Sequence, residues 1–392
     1  MRRGWWAVGA VFALNGAIFG SWVARVPDAA DRTGSSPGIL GLALLCLAKG
    51  AVVAMPLTGR LCSRLDSRYV VAAAAVTNCL SLPLLALARS PLELAAGLAI
   101  YGATTGATDV AMNTNAVAAI RRAARPLMPM FHGAFSAGGM LGAATGGLAA
   151  DRIGMTPHFT MVALTGLTVV ALVYRWLTAD PPAHEAVSTE TRPRIHRFDA
   201  TIVILGLVAF CCAVGEGAMG DWSALFMRDV LDTGAGAAAA GFTVFSLAMT
   251  ISRFAGPAVL GRYGPATTLI GGCALAAAGG LAVTVAPTPA VALAGFLAVG
   301  IGLAGGFPIA LNAAGAHTSG SGPAIGLVST IGYTGFLAGP PAIGFVADWA
   351  GLRVGLSLVA VVAVFGLFLG VWQRRLLSVA DPSRAADARL TR

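Results

Sequence analysis

The chain has 392 residues, of which 57% are hydrophobic and only 11% are charged, and its mean hydropathy is +0.78. A soluble domain carries about 25% charged residues, so this composition excludes a water-soluble globular protein and indicates a protein embedded in lipid. The net charge of +9 suggests a nucleic-acid binder only until the charges are placed along the chain.

Twelve apolar runs follow one another, each close to the roughly 20 residues that a transmembrane helix needs. Backbone polar groups in hydrocarbon must be paired within the segment, so runs of this length predict helices and exclude barrel strands. We interpret the first run as a helix and not a cleaved leader, because it is too long and lacks a clear cleavage site. The predicted spans are 5–25, 38–58, 69–88, 93–118, 127–150, 158–177, 200–222, 236–260, 266–286, 289–312, 323–347 and 353–373.

The arginines are unevenly divided between the two sides of these spans. If both termini lie in the cytoplasm, 19 arginines, Arg253 among them, are cytoplasmic and 6 are outside. Excess positive charge marks the cytoplasmic side of membrane proteins. The basic balance therefore predicts topology and not a nucleic-acid partner: a multi-pass protein of the plasma membrane with both termini cytoplasmic.

A long polar segment divides the chain into two halves of six spans each. It falls between spans six and seven and contains several arginines, which predicts a cytoplasmic linker. The predicted organisation is an N-terminal six-helix bundle at 1–178, a linker at 179–199, a C-terminal six-helix bundle at 200–373 and a cytoplasmic tail at 374–392.

The two halves repeat. Residues 138–154 align with residues 335–351 at an offset of 197, with five glycines or aspartates matched. Transporters built from parallel repeats show this pattern of related halves. The same or a similar offset pairs Asn115 with Asn312 and Trp22 with Trp222.

With these repeated halves, the chain resembles the major facilitator superfamily over nearly its whole length. The loop "GRLCSRLDSR" between spans two and three keeps Gly59, Arg64 and Arg68 of that family's best-known motif. Ser63 stands where the family usually has Asp, and Asp66 where it usually has Gly.

Two further patterns carry the resemblance. In span eleven, Gly335, Gly339 and Pro340 look like the antiporter-type motif, and span five has the related pair Gly138 and Gly142. The stretches "DVAMNTNA" and "FHGAFSAGG" look more like the fucose-permease-like branch. The resemblance implies an all-α membrane fold of two six-helix pseudo-repeats that moves a small molecule by alternating access, as a monomer.

Four ionisable residues lie deep inside predicted spans, and all are on spans that this fold turns wholly or partly inward: Lys49, Asp109, His132 and Glu216. A charge at the bilayer centre costs about 2.5–3.5 kcal/mol on insertion scales unless it is paired or hydrated. They are the candidate proton-coupling residues. Lys49 is the only lysine of the chain, and we expect it to pair with Asp109, either as a titrating pair or as a structural one.

Polar side chains on the same inward spans are the candidates for substrate binding. Thr105, Asp109 and Asn113 are spaced by four and therefore share one helix face. The tryptophans among the candidates have a second interpretation, as anchors at the membrane interface. The substrate-binding candidates are Asn15, Trp22, Thr105, Asn113, Ser136, Trp222 and Asn312.

Other classes of function have little support in the sequence. The six cysteines show no metal-type spacing, and no G-x-x-x-x-G-K-[ST] loop is present, so we expect no metal, cofactor or ATP hydrolysis. Ser136, His132 and Asp109 have the residue types of a Ser/His/Asp triad, as in an intramembrane hydrolase. The serine lies on a predicted helix without the strained turn that such a nucleophile needs. A transporter-like sensor without flux is a further alternative. The prediction is a non-enzymatic secondary transporter, with proton-coupled export of a small amphipathic compound or drug preferred over uptake of a sugar-like solute.

The first testable prediction concerns topology. A reporter that works only in the cytoplasm should be active when it is fused after Arg197, and a reporter that works only outside the cell should be inactive there. The reason is that the arginine excess holds that side of the chain inside. A phosphatase and a fluorescent-protein fusion at the same position provide the paired measurement. Activity confined to the outside of the cell would contradict the topology.

Overall fold

The computed structural model of the chain describes residues 2–123, 127–179, 199–317, 322–374 and 377. Helices dominate these residues, and no strand occurs among them. The predicted linker at 179–199 and tail at 374–392 lie almost wholly outside the described residues, so those boundaries stay predictions.

The described part of the N-terminal half contains six long α-helices and one short one. Two of the long helices begin at side chains that accept a backbone N–H in the first turn, Ser36 from Ile39 and Asp66 from Arg68. The helices are α1 (Arg2–Val23), α2 (Val26–Thr33), α3 (Pro37–Arg64), α4 (Ser67–Leu85), α5 (Pro91–Ala123), α6 (Met128–Ala150) and α7 (Met155–Val173).

The C-terminal half repeats this plan with one bent helix. The long α10 holds two predicted spans, which are separated at Gly264, where the backbone has φ 73° and ψ 165°. Glycine adopts this left-handed region without steric cost, and Pro265 restarts the helix. The helices are α8 (Ala200–Asp229), α9 (Ala235–Ala238), α10 (Ala240–Val285), α11 (Pro289–Leu303), α12 (Gly306–His317), α13 (Gly322–Ala350) and α14 (Leu352–Trp372).

The predicted spans map onto these helices in order, with span ten divided between α11 and α12. By length and hydropathy alone, eight of the described helical stretches are suited to cross a membrane, and one of these, Ala235–Val285, contains two predicted spans. The order of elements therefore agrees with an all-α membrane fold of twelve spans.

Small residues allow the inner helices to touch within each half. Gly138 and Gly142 of α6 lie against the backbone of α1 at Ala13 and Ala17. In the other half, Gly335 of α13 lies against the α8 backbone at Phe210. A side chain at these positions would force the helices apart, as in other membrane helix pairs. The predicted glycine patterns thus serve the same packing role in both repeats.

The two halves are joined at the end of the bundle where α1 ends and α3 begins, called here the distal end. Asp151, at the end of α6, accepts a hydrogen bond from the backbone N–H of Gly236 (2.9 Å). Asp348, in the last turn of α13, accepts one from the Ser36 hydroxyl (3.1 Å). The repeat relates Asp151 to Asp348 and Ser36 to Gly236. These two contacts are therefore a matched pair, one on each side of the bundle, and we call them the distal latches.

A bidentate ion pair strengthens the same closure. Two guanidinium nitrogens of Arg228, near the end of α8, contact the two carboxylate oxygens of Asp31 on α2 at 2.7 and 2.9 Å. Such parallel bonds fix relative orientation as well as distance. The structure is thus a conformation closed at its distal end.

The second prediction tests the distal latches. Asp151→Ala combined with Asp348→Ala should shift the protein toward a distally open state, because each lost hydrogen bond stabilises closure by about 1 kcal/mol. The ratio of open to closed protein should rise about 5-fold for one substitution and about 30-fold for both. Spin labels at Leu87 and Trp349, which are 63% and 87% exposed, would report the distance in a chain freed of its native cysteines.

Asparagine at both latch positions is the matched control, since its amide oxygen still accepts a hydrogen bond without the charge. The proportion of distally open protein in this variant should lie between those of the parent and of the double alanine variant. An unchanged distance distribution in the double alanine variant would show that these contacts do not hold the distal end.

Candidate functional site

Arg253 and Glu216 form an ion pair in the middle of the C-terminal half. Arg253 lies near the centre of the first part of α10, and one of its terminal nitrogens, Nη2, contacts Glu216 Oε1 and Oε2 on α8 at 3.2 and 3.4 Å. The two side chains are 21% and 30% exposed. Sequence analysis had counted Arg253 with the cytoplasmic arginines. This was wrong, because the residue lies well inside the helix; its position within an apolar run was the available signal.

The same arginine also reaches the N-terminal half. Its Nη1 donates to the hydroxyl of Ser136 on α6 (2.8 Å), and the Ser246 hydroxyl of α10 donates to the Ser136 carbonyl (2.9 Å). His132, one turn before Ser136, lies close enough to Arg253 and Glu216 to interact electrostatically with both, and its ring meets Phe12 edge-on. Ser136 and His132 therefore belong to one cluster with the ion pair.

Asp109 lies on α5 of the N-terminal half. Its carboxylate and its carbonyl oxygen accept from the amide of Asn113, at 3.2 and 2.8 Å. The Tyr333 hydroxyl of α13 lies close enough to Asp109 and to Glu216 to interact electrostatically with each. Tyr333 is thus within electrostatic range of an acidic residue of each half. We name the set Asp109, Asn113, His132, Ser136, Glu216, Arg253 and Tyr333 the central cluster.

Asn15 and Thr105 do not join the central cluster, although they were predicted to bind substrate. The amide oxygen of Asn15, which is 2% exposed, accepts from Asn78 on α4 (2.9 Å). Thr105 donates to the amide oxygen of the same Asn78 (3.0 Å). Sequence analysis missed Asn78, whose polar amide inside span three was the signal. This network satisfies buried polar groups within one half.

Lys49 does not pair with Asp109. Leu47 packs against Gly102 and Ala51 against Gly106, and this register puts Asp109 about 8 Å farther along the helix axis than Lys49. Both residues are described by the structure, and no ion pair joins them there. Lys49 shares an exposed apolar stripe with Leu42 and Val53. The expected pair is therefore corrected: the packing of α3 against α5 sets a register in which the Lys49 and Asp109 side chains form no ion pair.

The two repeat-related tryptophans are entirely buried. Trp22 and Trp222 are both 0% exposed, and the Trp22 ring packs near Tyr101 (6.5 Å between centroids). They line no open space and reach no membrane surface in this conformation, which differs from both interpretations of the sequence. Asn312, on α12, is exposed, whereas its repeat partner Asn115 is buried and donates to Ser67 Oγ and the Thr178 carbonyl.

The residues of the predicted conformational motif have different surroundings. Pro340 of α13 packs against Gly41 of α3 at the junction of the halves, and Gly339 lies beside Val214. Arg68 donates to the Tyr69 hydroxyl (2.9 Å) and lies 3.6 Å from Asp66. Gly59 faces open space and Arg64 is exposed. The loop motif thus makes local contacts here, while the α13 motif joins the two halves.

Two repeated six-helix halves that meet around charged side chains inside the membrane define a transporter architecture. Comparison with known proteins gives the family: the sequence matches the Major Facilitator Superfamily profile over residues 5–322. The chain therefore belongs to the Major Facilitator Superfamily, and it is a multi-pass membrane transporter and not an enzyme. Members of this family bind small-molecule substrates.

Relatives of nearly full length support this assignment. The chain is 35% identical to an uncharacterised MFS-type transporter of Yersinia pestis over 352 residues, which is 89% of this chain and 90% of the relative. It is 30% identical to the membrane protein MosC of Rhizobium meliloti over 361 residues, covering 91% and 86% of the two chains.

Solved structures with low sequence identity share the fold. A bacterial homologue of the human lysosomal transporter Spinster, in an inward-facing and occupied conformation, has a TM-score of 0.77 at 13% identity, with 96% and 97% of the two chains covered. The nucleoside transporter NupG has a TM-score of 0.72 at 15% identity, with 96% and 99% covered. At such identities the likeness concerns the fold alone.

The third prediction compares two pairs of charges by double-mutant cycles. Arg253→Gln and Glu216→Gln should be less destabilising together than the sum of the single changes, by about 1–3 kcal/mol, since each single change leaves a charge unpaired. Lys49→Ala and Asp109→Asn, the control pair, should add to within about 0.5 kcal/mol. Thermal unfolding of the purified protein in detergent is the measurement. A large coupling in the control pair would refute the geometry described here.

Proposed function

We propose that this protein is a proton-coupled secondary active transporter that moves a small molecule across the plasma membrane by alternating access. The supporting observation is that each half contributes a carboxylate to the central cluster, Asp109 from α5 and Glu216 from α8, with Tyr333 close to both. Intramembrane carboxylates of transporters commonly mark ion or proton pathways. Both termini are proposed to be cytoplasmic.

Glu216 is suited to couple a proton to the movement of the halves. When Glu216 is ionised, it balances Arg253, which also holds Ser136 of the opposite half. When Glu216 accepts a proton, the guanidinium loses its charge partner, and a partly buried charge without a partner is unfavourable. Relief requires either an incoming ligand or access to water, so the state of this carboxylate biases the contact between α6 and α10.

Asp109 is the second candidate proton carrier. Its described hydrogen-bond partner is the neutral amide of Asn113, which does not cancel its charge. His132 is a third titratable group beside the ion pair. Lys49, distant from these groups, is not part of the proposed coupling.

Two kinds of transport fit this scheme. Export of a small amphipathic compound is the first candidate, on the strength of the antiporter-type glycines Gly335 and Gly339 and Pro340 in α13. Uptake of a sugar-like solute is the second, and the many donors and acceptors of the central cluster favour a polar ligand of that kind. Orientation of a polar ligand by a few placed groups is usual in such sites.

The hydrolase alternative has no support in the geometry. The Ser136 hydroxyl donates to the backbone carbonyl of His132 (3.2 Å) and accepts from Arg253, so it is not directed at an imidazole nitrogen. Asp109 is bonded to Asn113 and not to His132. A non-transporting sensor would bind ligand without counterflow across a vesicle membrane.

The fourth prediction tests proton coupling. In proteoliposomes, Glu216→Gln and Asp109→Asn should each lose most pH-gradient-driven accumulation, by about 10-fold or more, while exchange at equal pH continues, because exchange needs no net proton transfer. The transported compound is the one that most raises the melting temperature in a screen of sugars, amino acids and antibiotics. Trapped pyranine reports the accompanying proton movement, and its sign gives symport or antiport.

Glu93→Gln is the control, since this carboxylate lies at the first turn of α5 and accepts from the Arg89 N–H at the distal surface. It should accumulate substrate like the parent. Parent-like, proton-driven accumulation by both test variants would eliminate these carboxylates as proton carriers.

A further inference from the structure

The guanidinium of Arg253 is only partly engaged by the protein. Nη1 donates a hydrogen bond to the neutral Ser136 hydroxyl. Nη2 donates to both carboxylate oxygens of Glu216, at 3.2 and 3.4 Å. A strong arginine–carboxylate pair has two parallel bonds of about 2.7–2.9 Å. The geometry is therefore that of a loose pair whose arginine is able to exchange one carboxylate for another.

We propose that Arg253 binds an anionic group of the substrate, and that a proton on Glu216 makes it available to do so. This inference rests on the proposed function and narrows its substrate class to small organic acids, including acidic sugars. A carboxylate is the natural partner, because its two oxygens match the planar fork of a guanidinium. The exchange forms one hydrogen-bonded ion pair as it separates another, and the incoming proton stays on Glu216.

The surroundings of Glu216 support a linked exchange. Arg253 of α10 pairs with it, and His132 of α6, Tyr333 of α13 and Cys212 of α8 itself lie within electrostatic range of it. Among these, Arg253 is the group with a permanent positive charge. Protonation of Glu216 therefore leaves a local excess of positive charge, which one monoanion cancels.

The position of the pair suits a transported ligand. Arg253 and Glu216 keep 21% and 30% of their side-chain surface exposed, so they reach space that the protein does not fill. Arg253 also bridges the halves through Ser136 on α6. A substrate anion at this place would touch both halves, as alternating access requires of a central ligand. A neutral polyol would not require Glu216 to give up its arginine, so the two substrate classes differ in their pH dependence.

The experiment uses the purified full-length chain and three matched pairs of probes: glucuronate and glucose, lactate and lactamide, nicotinate and nicotinamide. Thermal shift titrations are made at pH 5.5 and pH 8. At least one acid should stabilise the parent protein and should bind it at least 10-fold more tightly at pH 5.5 than at pH 8. Its neutral partner should not stabilise the protein. Glu216→Gln, which imitates the protonated residue, should bind that acid with similar affinity at both pH values.

Three arginine variants separate charge, shape and folding. Arg253→Gln should lose binding of the acid, and Arg253→Lys, which keeps the charge but not the fork, should weaken it at least 10-fold. Arg262→Gln is the control, because Arg262 lies exposed on the same helix, over the Tyr263 ring. It should bind like the parent. Gel filtration establishes that each variant is folded, and Arg253→Lys carries the test if Arg253→Gln is not.

Several results would overturn the proposal: neutral partners that bind as well as the acids, no stabilisation by any of the three acids, or a Glu216→Gln variant that keeps the pH dependence of the parent. None of these results would refute the proposed function, because a neutral substrate can also be transported together with protons. Transport of an acid through Arg253 without proton movement would instead refute the proposed function.

Discussion

Hydrocarbon offers no hydrogen bonds, and this constraint governs every polar group that the chain carries into the membrane. In this chain the backbone groups are paired within helices. Many buried polar side chains find a partner as well, some on a neighbouring helix, as Asn15 does with Asn78. Polar residues that would bind water at a water-exposed surface thus form contacts between neighbouring helices inside the bundle.

The same constraint makes the Arg253–Glu216 pair informative. Two charges inside the bundle are stable together, and removal of either charge leaves the other in a poor solvent. Arg253 also holds Ser136 in the opposite half, so the ion pair lies at the junction between the halves. In the proposed mechanism, a proton on one carboxylate would in this way be connected to movement of whole helices.

Internal repetition extends this logic to the ends of the molecule. Asp151 and Asp348 occupy related positions, and each contacts the start of a helix in the other half, at Gly236 and Ser36. Glycines at related positions in α6 and α13 bring these helices close to α1 and α8. Repeat-related residues therefore make both contacts that close the distal end.

The sequence by itself determined the membrane class, the order of the spans, the two repeated halves and the family, because these depend on local hydropathy and on repetition along the chain. It also placed Asp109, His132 and Glu216 on the helices that supply the central cluster. It paired Lys49 with Asp109, counted Arg253 with the cytoplasmic arginines, and made Trp22 either a substrate-binding residue or a membrane-interface anchor; the tertiary structure differs on all three. Hydropathy and spacing locate a residue along its own helix, but the rotation of that helix and its register against neighbours follow from packing between distant segments. Arg253 and Ser136 are 117 residues apart, and only the folded bundle brings them together.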